Sequence, residues 1–194
     1  MPASPLGVIE WREQMPHSEI VLPITTPETE WVAGRPLQKV SPTRNHARVQ
    51  MRLASALDAW ATGRGEVGTE WRFRIEPAGE RRRPLVPDVA FVALDRLSGH
   101  SETELQAPAF APTVAVEVLS PGDAASDVAA KIDVYLRAGC LLVIVADPVR
   151  RRFLIHDAGG MREFREDAVL QHDVLDGFAL AVGSFFAAAL DLQR

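Results

Sequence analysis

The chain of 194 residues holds one cysteine, one tyrosine and only two lysines, beside nineteen arginines. A lone thiol, Cys140, cannot form a disulfide within the chain, which suits a reducing compartment. It sits in GCLLVIVAD and reads as a buried, inert core thiol. The longest apolar run, Cys140 to Ala146, is far shorter than the roughly 20 residues that span a bilayer. The opening MPASPLGVIEWRE lacks a basic n-region and an apolar h-region, so no secretory signal is read. A soluble, cytoplasmic protein with no membrane partner is expected. The net charge of −5 argues against avid non-specific binding to nucleic acid but leaves room for a local basic groove. There is no cysteine–histidine metal cluster, phosphate-binding glycine loop or serine nucleophile elbow, and HARV and LIHDAGG are too isolated to build a triad.

What is present is 47% hydrophobic residues, enough for a sizeable core. Residues 1–42 are proline-rich and read as an N-terminal arm of short strands and turns, with Trp31 and Val32 before AGRP forming one short strand. From Thr43, Val49, Leu53, Leu57 and Trp60 recur at helical spacing. Thr43 or Asn45 can cap that helix and Gly63 can end it. Trp71, Phe73 and Ile75 alternate with charged residues, as in a half-buried strand. LVPDVAFVAL reads as a second strand and TVAVEVL as a third. SPGDAASDVAAKIDVYLRAG reads as a helix, capped by Asp123 or Ser126, stopped by Gly139, with Val128, Ile132, Tyr135 and Leu136 as its buried stripe. LLVIVADP is a fourth strand, RRFLIHDAGGMREFRE a hairpin turning at AGG, and the chain closes with a short apolar helix. This order predicts a single α/β domain over residues 43–194, with one mixed β-sheet flanked by helices.

Two carboxylates stand where a carboxylate is costly. Glu117 lies at the centre of TVAVEVL and Asp88 enters VAFV in the preceding strand. In neighbouring strands, about 4.8 Å apart, the two would converge and repel unless a cation or proton lay between them. A hard divalent ion such as Mg²⁺ would resolve that conflict. The plainer readings are a strand-entry aspartate after Pro87 and an edge glutamate paired with an arginine. Lys131 is the third candidate. It can pair with Asp127 at i, i+4 on a helix surface, or bring a compact ammonium to a water or phosphate. Lys39, in the arm, shows no comparable neighbourhood in the sequence.

PDV at 87–89, VEVLSPGDAASDVAAKIDVYLRAG at 116–139 and VIVADP at 143–148 resemble the Uma-two family of restriction-endonuclease-like proteins, within the PD-(D/E)XK nuclease superfamily. The likeness spans about residues 30 to 190, and DGFALAV near the end also fits. It implies a restriction-endonuclease-like fold and a metal-dependent nuclease site. Asp88 matches the aspartate of the PD element and Glu117 the acid of the (D/E)XK element. The lysine usual two residues later is replaced by Leu119, and Lys131 in the next helix resembles the lysine used after such a migration. The resemblance implies that Asp88, Glu117 and the carbonyl of Val118 hold Mg²⁺ or Mn²⁺ and that Lys131 orients water or neutralises charge. It also implies nucleic acid, DNA before RNA, as substrate. A homodimer is in keeping with cutting both strands of a duplex.

Other residues are supporting candidates, each with an ordinary alternative. Glu30, in ETEWVAG, resembles an acid near the start of the family pattern that could approach the metal through water, but reads more readily as a turn or β-ladder glutamate. His46 can face the site or cap a helix. Glu70 opens a strand and can be simply solvated. Asp127 can tune Lys131 or lie on the surface, and Tyr135 can be a core residue. The two RRR runs, at 81–83 and 150–152, are candidates for a phosphate-contacting patch or for solvated loops. Two other functional classes stay open: a nuclease-fold binding or regulatory protein without turnover, and an interaction protein whose acids only pair with arginines such as Arg72 or Arg74.

Overall fold

The structure, a computed structural model, describes residues 19–191; the strands and turns expected before residue 19 lie outside the described residues. In chain order the elements begin with a hairpin, β1 (Thr29–Val32) and β2 (Arg35–Gln38), then α1 (Arg44–Ala61), β3 (Gly65–Thr69), β4 (Phe73–Ile75), β5 (Arg83–Leu85) and β6 (Val89–Ala93). Two single-turn helices follow, α2 (Leu94–Leu97) and α3 (Glu102–Leu105). Then come β7 (Val114–Val118), α4 (Ala125–Arg137), β8 (Leu142–Asp147), β9 (Arg152–Asp157), β10 (Gly160–Arg165), β11 (Val169–Leu170), β12 (Leu180–Ala181) and α5 (Val182–Leu190).

Six strands form one mixed sheet in the order β10-β9-β8-β7-β6-β3. Only the β7–β8 pair is parallel, and α4 is its crossover. The remaining neighbours run antiparallel. Side chains alternate across the sheet, so the central strands β6, β7 and β8 each feed two cores. Val114, Val116 and Val118 of β7 join Leu53 and Leu57 of α1 and Phe186 of α5. Ala115 faces the other way, with Val134 and Tyr135 of α4 and Phe73 and Leu85 of the β4–β5 pair. Residue 117 shares the parity of 115 and so turns toward α4. This alternation is what delivers Glu117 to the helix carrying Lys131.

Several local expectations need correction. LVPDVAFVAL is two strands, because Pro87 brings no N–H to a ladder and the chain breaks there. β3 is an unexpected strand: GEVGT has no apolar alternation, and Gly65 is needed because a Cβ there would lie 2.1 Å from the Val92 carbonyl oxygen. The helices α2 and α3 were also not expected, each being one turn long. Thr43 does cap α1, accepting from the His46 N–H at 3.4 Å, and Gly63 follows its end at φ +74°. At α4, neither Asp123 nor Ser126 is the cap; the N-cap is Ala124, and Asp123 instead accepts from the Ser120 N–H in the turn before it. The buried side of α4 is Lys131, Val134 and Tyr135, with Val128, Ile132 and Leu136 only half-buried. The helix is rolled so that an ammonium, not a methyl group, meets the sheet.

Candidate active site

One step beyond the Val89–Val116 pairing, the antiparallel register of β6 and β7 sets Asp88 opposite Glu117. The strands separate there, after Pro87 on one side and before SPG on the other. The opening is a cavity of about 200 Å³ whose lining includes Glu30, Lys39, His46, Asp88, Glu117 and Lys131. Val118 and Asp127 line it too. The expected acids and Lys131 therefore share one cleft, and Glu30 and His46 stand in it with them.

Lys131 bridges two buried carboxylates. Its Nζ lies 2.5 Å from Glu117 Oε2 and 2.9 Å from Glu30 Oε2. Glu30 reaches it from β1, and its other oxygen accepts the Val86 N–H at 2.7 Å, so this glutamate fastens the hairpin to the link between β5 and β6. The Tyr135 hydroxyl, one turn beyond Lys131 on α4, donates to Glu117 Oε1 at 3.0 Å. Burial pushes the Glu117 carboxyl up to about 7; repulsion from Asp88 and Glu30 adds to this, and Lys131 opposes it. Burial and the Glu117 charge push the tyrosine well above its ordinary value.

Asp88 is held differently. Its Oδ2 accepts the Val118 N–H at 2.6 Å and faces His46 Nε2 at 3.2 Å, where the imidazole must be the donor. Its Oδ1 faces Lys39 Nζ at 2.7 Å. Burial alone would raise this carboxyl, but the His46 hydrogen bond and the Lys39 charge hold it below the usual carboxylate range. Lys39 was the residue without a visible neighbourhood, and that reading is overturned. Its ammonium also meets Glu70 Oε2 at 2.7 Å and the Val86 carbonyl at 3.0 Å. Burial would lower the lysine; the charges of Asp88 and Glu117 more than reverse that.

Glu70 is thus not merely solvated. It takes Lys39 on one oxygen and Gln50 Nε2 on the other at 2.9 Å, and it sits at φ +50°, a strained setting for a side-chain-bearing residue. Asp127 does not pair with Lys131. It accepts both oxygens' worth of hydrogen bonds from Arg35, at 2.9 and 2.7 Å, tying β2 to α4. The Arg35 side chain is half exposed, so Arg35→Ala is expected to cost less than about 1 kcal/mol in urea unfolding. A larger loss would mean that this latch holds the hairpin down.

Among the described residues no arginine is the partner of either acid. Arg72 pairs with Glu28 and Arg74 with Glu19. Five of the six arginines in the two runs are paired: Arg82 with Glu76, Arg83 with Glu80, Arg151 with Asp191, and Arg150 and Arg152 with buried Asp147, while Arg81 is exposed. The two cations set against the buried acids of the cleft are the two lysines of the chain.

The donor set suits a hard cation. Among the described residues no group of three or more His, Cys, Asp and Glu side chains is arranged to hold a metal ion. Mg²⁺ usually needs no such cage, binding through one or two carboxylates plus water and substrate oxygens. Asp88 Oδ1 has Lys39 as its sole partner among the described residues, and Glu117 Oε1 has Tyr135 as its own. Each oxygen keeps acceptor capacity. When Glu117 is ionised, three carboxylates (Glu30, Asp88 and Glu117) face two ammoniums, an excess of negative charge that a further cation would relieve.

No helix among the described residues is long and apolar enough to cross a membrane. The family described as "Putative restriction endonuclease" (Uma2) matches residues 19–183. The fold is similar to the crystal structure of "a putative nuclease belonging to DUF820" from Anabaena variabilis, with a TM-score of 0.77 and 23% identity over 87% of this chain and 95% of that one. No curated protein matches the sequence. With the match running through the hairpin, both acid-bearing strands and α4, this chain belongs to the Uma2 family.

Proposed function

We propose that the protein is a divalent-metal-dependent nuclease that hydrolyses phosphodiester bonds of nucleic acid, DNA before RNA. The observation that carries this reading is the convergence of Asp88, Glu117 and Lys131 in one cleft that bears excess negative charge. Asp88 and Glu117, with the carbonyl of Val118, are the ligands in this reading. Bound there, Mg²⁺ or Mn²⁺ supplies charge to the phosphate and makes an attacking water more acidic. Glu117 and Glu30 hold the Lys131 ammonium at the carboxylate pair, where it orients that water or neutralises charge developing on the phosphoryl oxygens. Water oxygen bonds to phosphorus, the bond to the leaving sugar oxygen breaks, and the water proton passes to solvent or the leaving group. A homodimer would offer one such cleft to each strand of a duplex.

A second reading has its own observation. Every carboxylate of the cleft already bonds a protein donor, as expected of a nuclease-fold binding protein without turnover. Plasmid nicking and cleavage of labelled single-stranded DNA and RNA, with Mg²⁺ or Mn²⁺ and with chelator, separate the two. Cleavage that falls at least about 100-fold in Asp88→Asn and disappears with chelator is expected. Equal product from wild type and Asp88→Asn, or none with either ion, would leave the binding protein as the better account.

A further inference from the structure

Lys39 has a place in the cleft that the nuclease reading leaves without a task. It arrives from the end of the β2 hairpin, not from the strands and helix bearing Asp88, Glu117 and Lys131. Its ammonium is the sole described partner of Asp88 Oδ1. The Oδ2 atom keeps two donors of its own, Val118 N–H and His46 Nε2, so Asp88 stays oriented whether or not Lys39 is present. Lys39 likewise keeps partners if it leaves Asp88: Glu70 Oε2 and the Val86 carbonyl.

The second lysine differs on each point. Lys131 lies between two buried carboxylates, Glu117 and Glu30, and has no outer partner among the described residues. Glu70, by contrast, has a side chain 44% exposed, at the rim of the site. It is held at its positive φ with Gln50 on its far oxygen, and Gln50 also grips the Asp88 carbonyl. The rim thus presents a fixed anion beside the ammonium. A cation shared between one buried and one exposed carboxylate can transfer its weight outward at little cost, because neither the lysine nor the aspartate is left unpaired.

We propose that Lys39 is a placeholder cation: it occupies the ion-binding oxygen of Asp88 until a divalent ion arrives, then shifts its hydrogen bonding to Glu70 and the Val86 carbonyl. This rests on the metal-dependent reading above and makes Lys39 a positioning residue, acting through Asp88. The aspartate is kept ionised and aimed without metal, and the ion must compete with an ammonium for it.

Mn²⁺ binding to the full chain, followed by electron paramagnetic resonance of the free ion, tests this without any turnover. Lys39→Met is expected to bind Mn²⁺ at least about tenfold more tightly than wild type, the size of effect seen when a neighbour of a metal ligand is altered. A merely structural lysine would leave affinity unchanged or weaken it. Glu70→Gln gives the opposite sign, a weaker site, because Lys39 then has only Asp88 as counter-charge. This second variant alters an exposed group and keeps the test open if Lys39→Met does not fold. The Glu70→Gln effect should vanish in the double variant; if it persists there, Glu70 acts by its own charge and the exchange is wrong. Mn²⁺ binding equally to wild type and Lys39→Met overturns the placeholder role alone. No binding to either protein overturns the metal reading itself, and this role with it.

Discussion

Lys131→Ala should lower folding stability by about 3–5 kcal/mol, because it strands two buried carboxylates that share one ammonium. For a chain of this size that is a fall in melting temperature of roughly 6–20 °C. The loss comes from exposing Glu117 and Glu30 to each other, more than from any attraction forfeited. Thermal unfolding in the absence of metal reads it directly. Pairing Lys131→Met with Glu117→Gln should recover much of the loss, since the double variant removes a charge from each side and the two residues are in contact. A melting temperature within about 2 °C of wild type for Lys131→Ala would mean that Glu30 and Glu117 are compensated by something other than this lysine.

Glu117→Gln should remove metal-dependent cleavage and, without metal, make the protein more stable in alkali than wild type. Burial lifts the folded carboxyl from about 4.5 to about 7. Below pH 4.5 folded and unfolded chains both hold the proton. Between about 4.5 and 7 the folded chain holds it and the unfolded chain does not, so stability falls as pH rises; above about 7 the whole cost of a buried charge is present. Glutamine carries no such cost. Urea unfolding in chelator should therefore show the variant ahead of wild type near pH 8, with the gap closing toward about pH 4.5. A variant less stable than wild type at pH 8 would mean that the Glu117 charge is a net support of the fold through Lys131.

What could be read from the sequence follows from contrast. Asp88, Glu117 and Lys131 are visible because each interrupts an apolar stretch, where a charge needs a reason. Glu30 is far less visible: β1 is four residues long, too short for periodicity to show which face is buried. Lys39 sits in LQKVSP, a polar and proline-bearing context in which a lysine is unremarked. The one available signal was scarcity, since a chain using nineteen arginines keeps lysine at two positions. Glu70 could not be placed because its partners come from the hairpin and from α1, and its positive φ leaves no mark in the sequence. The fold was legible where strands are buried on both faces, as in β7 and β8, and hidden where backbone contact decides, as at Gly65 in β3. On α4 a stripe drawn from apolar residues alone misplaced the buried side, because the most informative inward residue is charged.

The scarcity of tyrosine has a use of its own. Tyr135 is the single tyrosine of the chain, it is fully buried, and its hydroxyl ends on Glu117. Feeding the cell isotope-labelled tyrosine would light one ring in the whole protein, and the hydroxyl of that ring touches a carboxylate of the proposed metal site. A proton arriving at Glu117, an ion drawing on the oxygen that Tyr135 bonds, or a change in Lys131 would each move the same resonance. The molecule carries its own gauge, read without a foreign probe and without altering a residue.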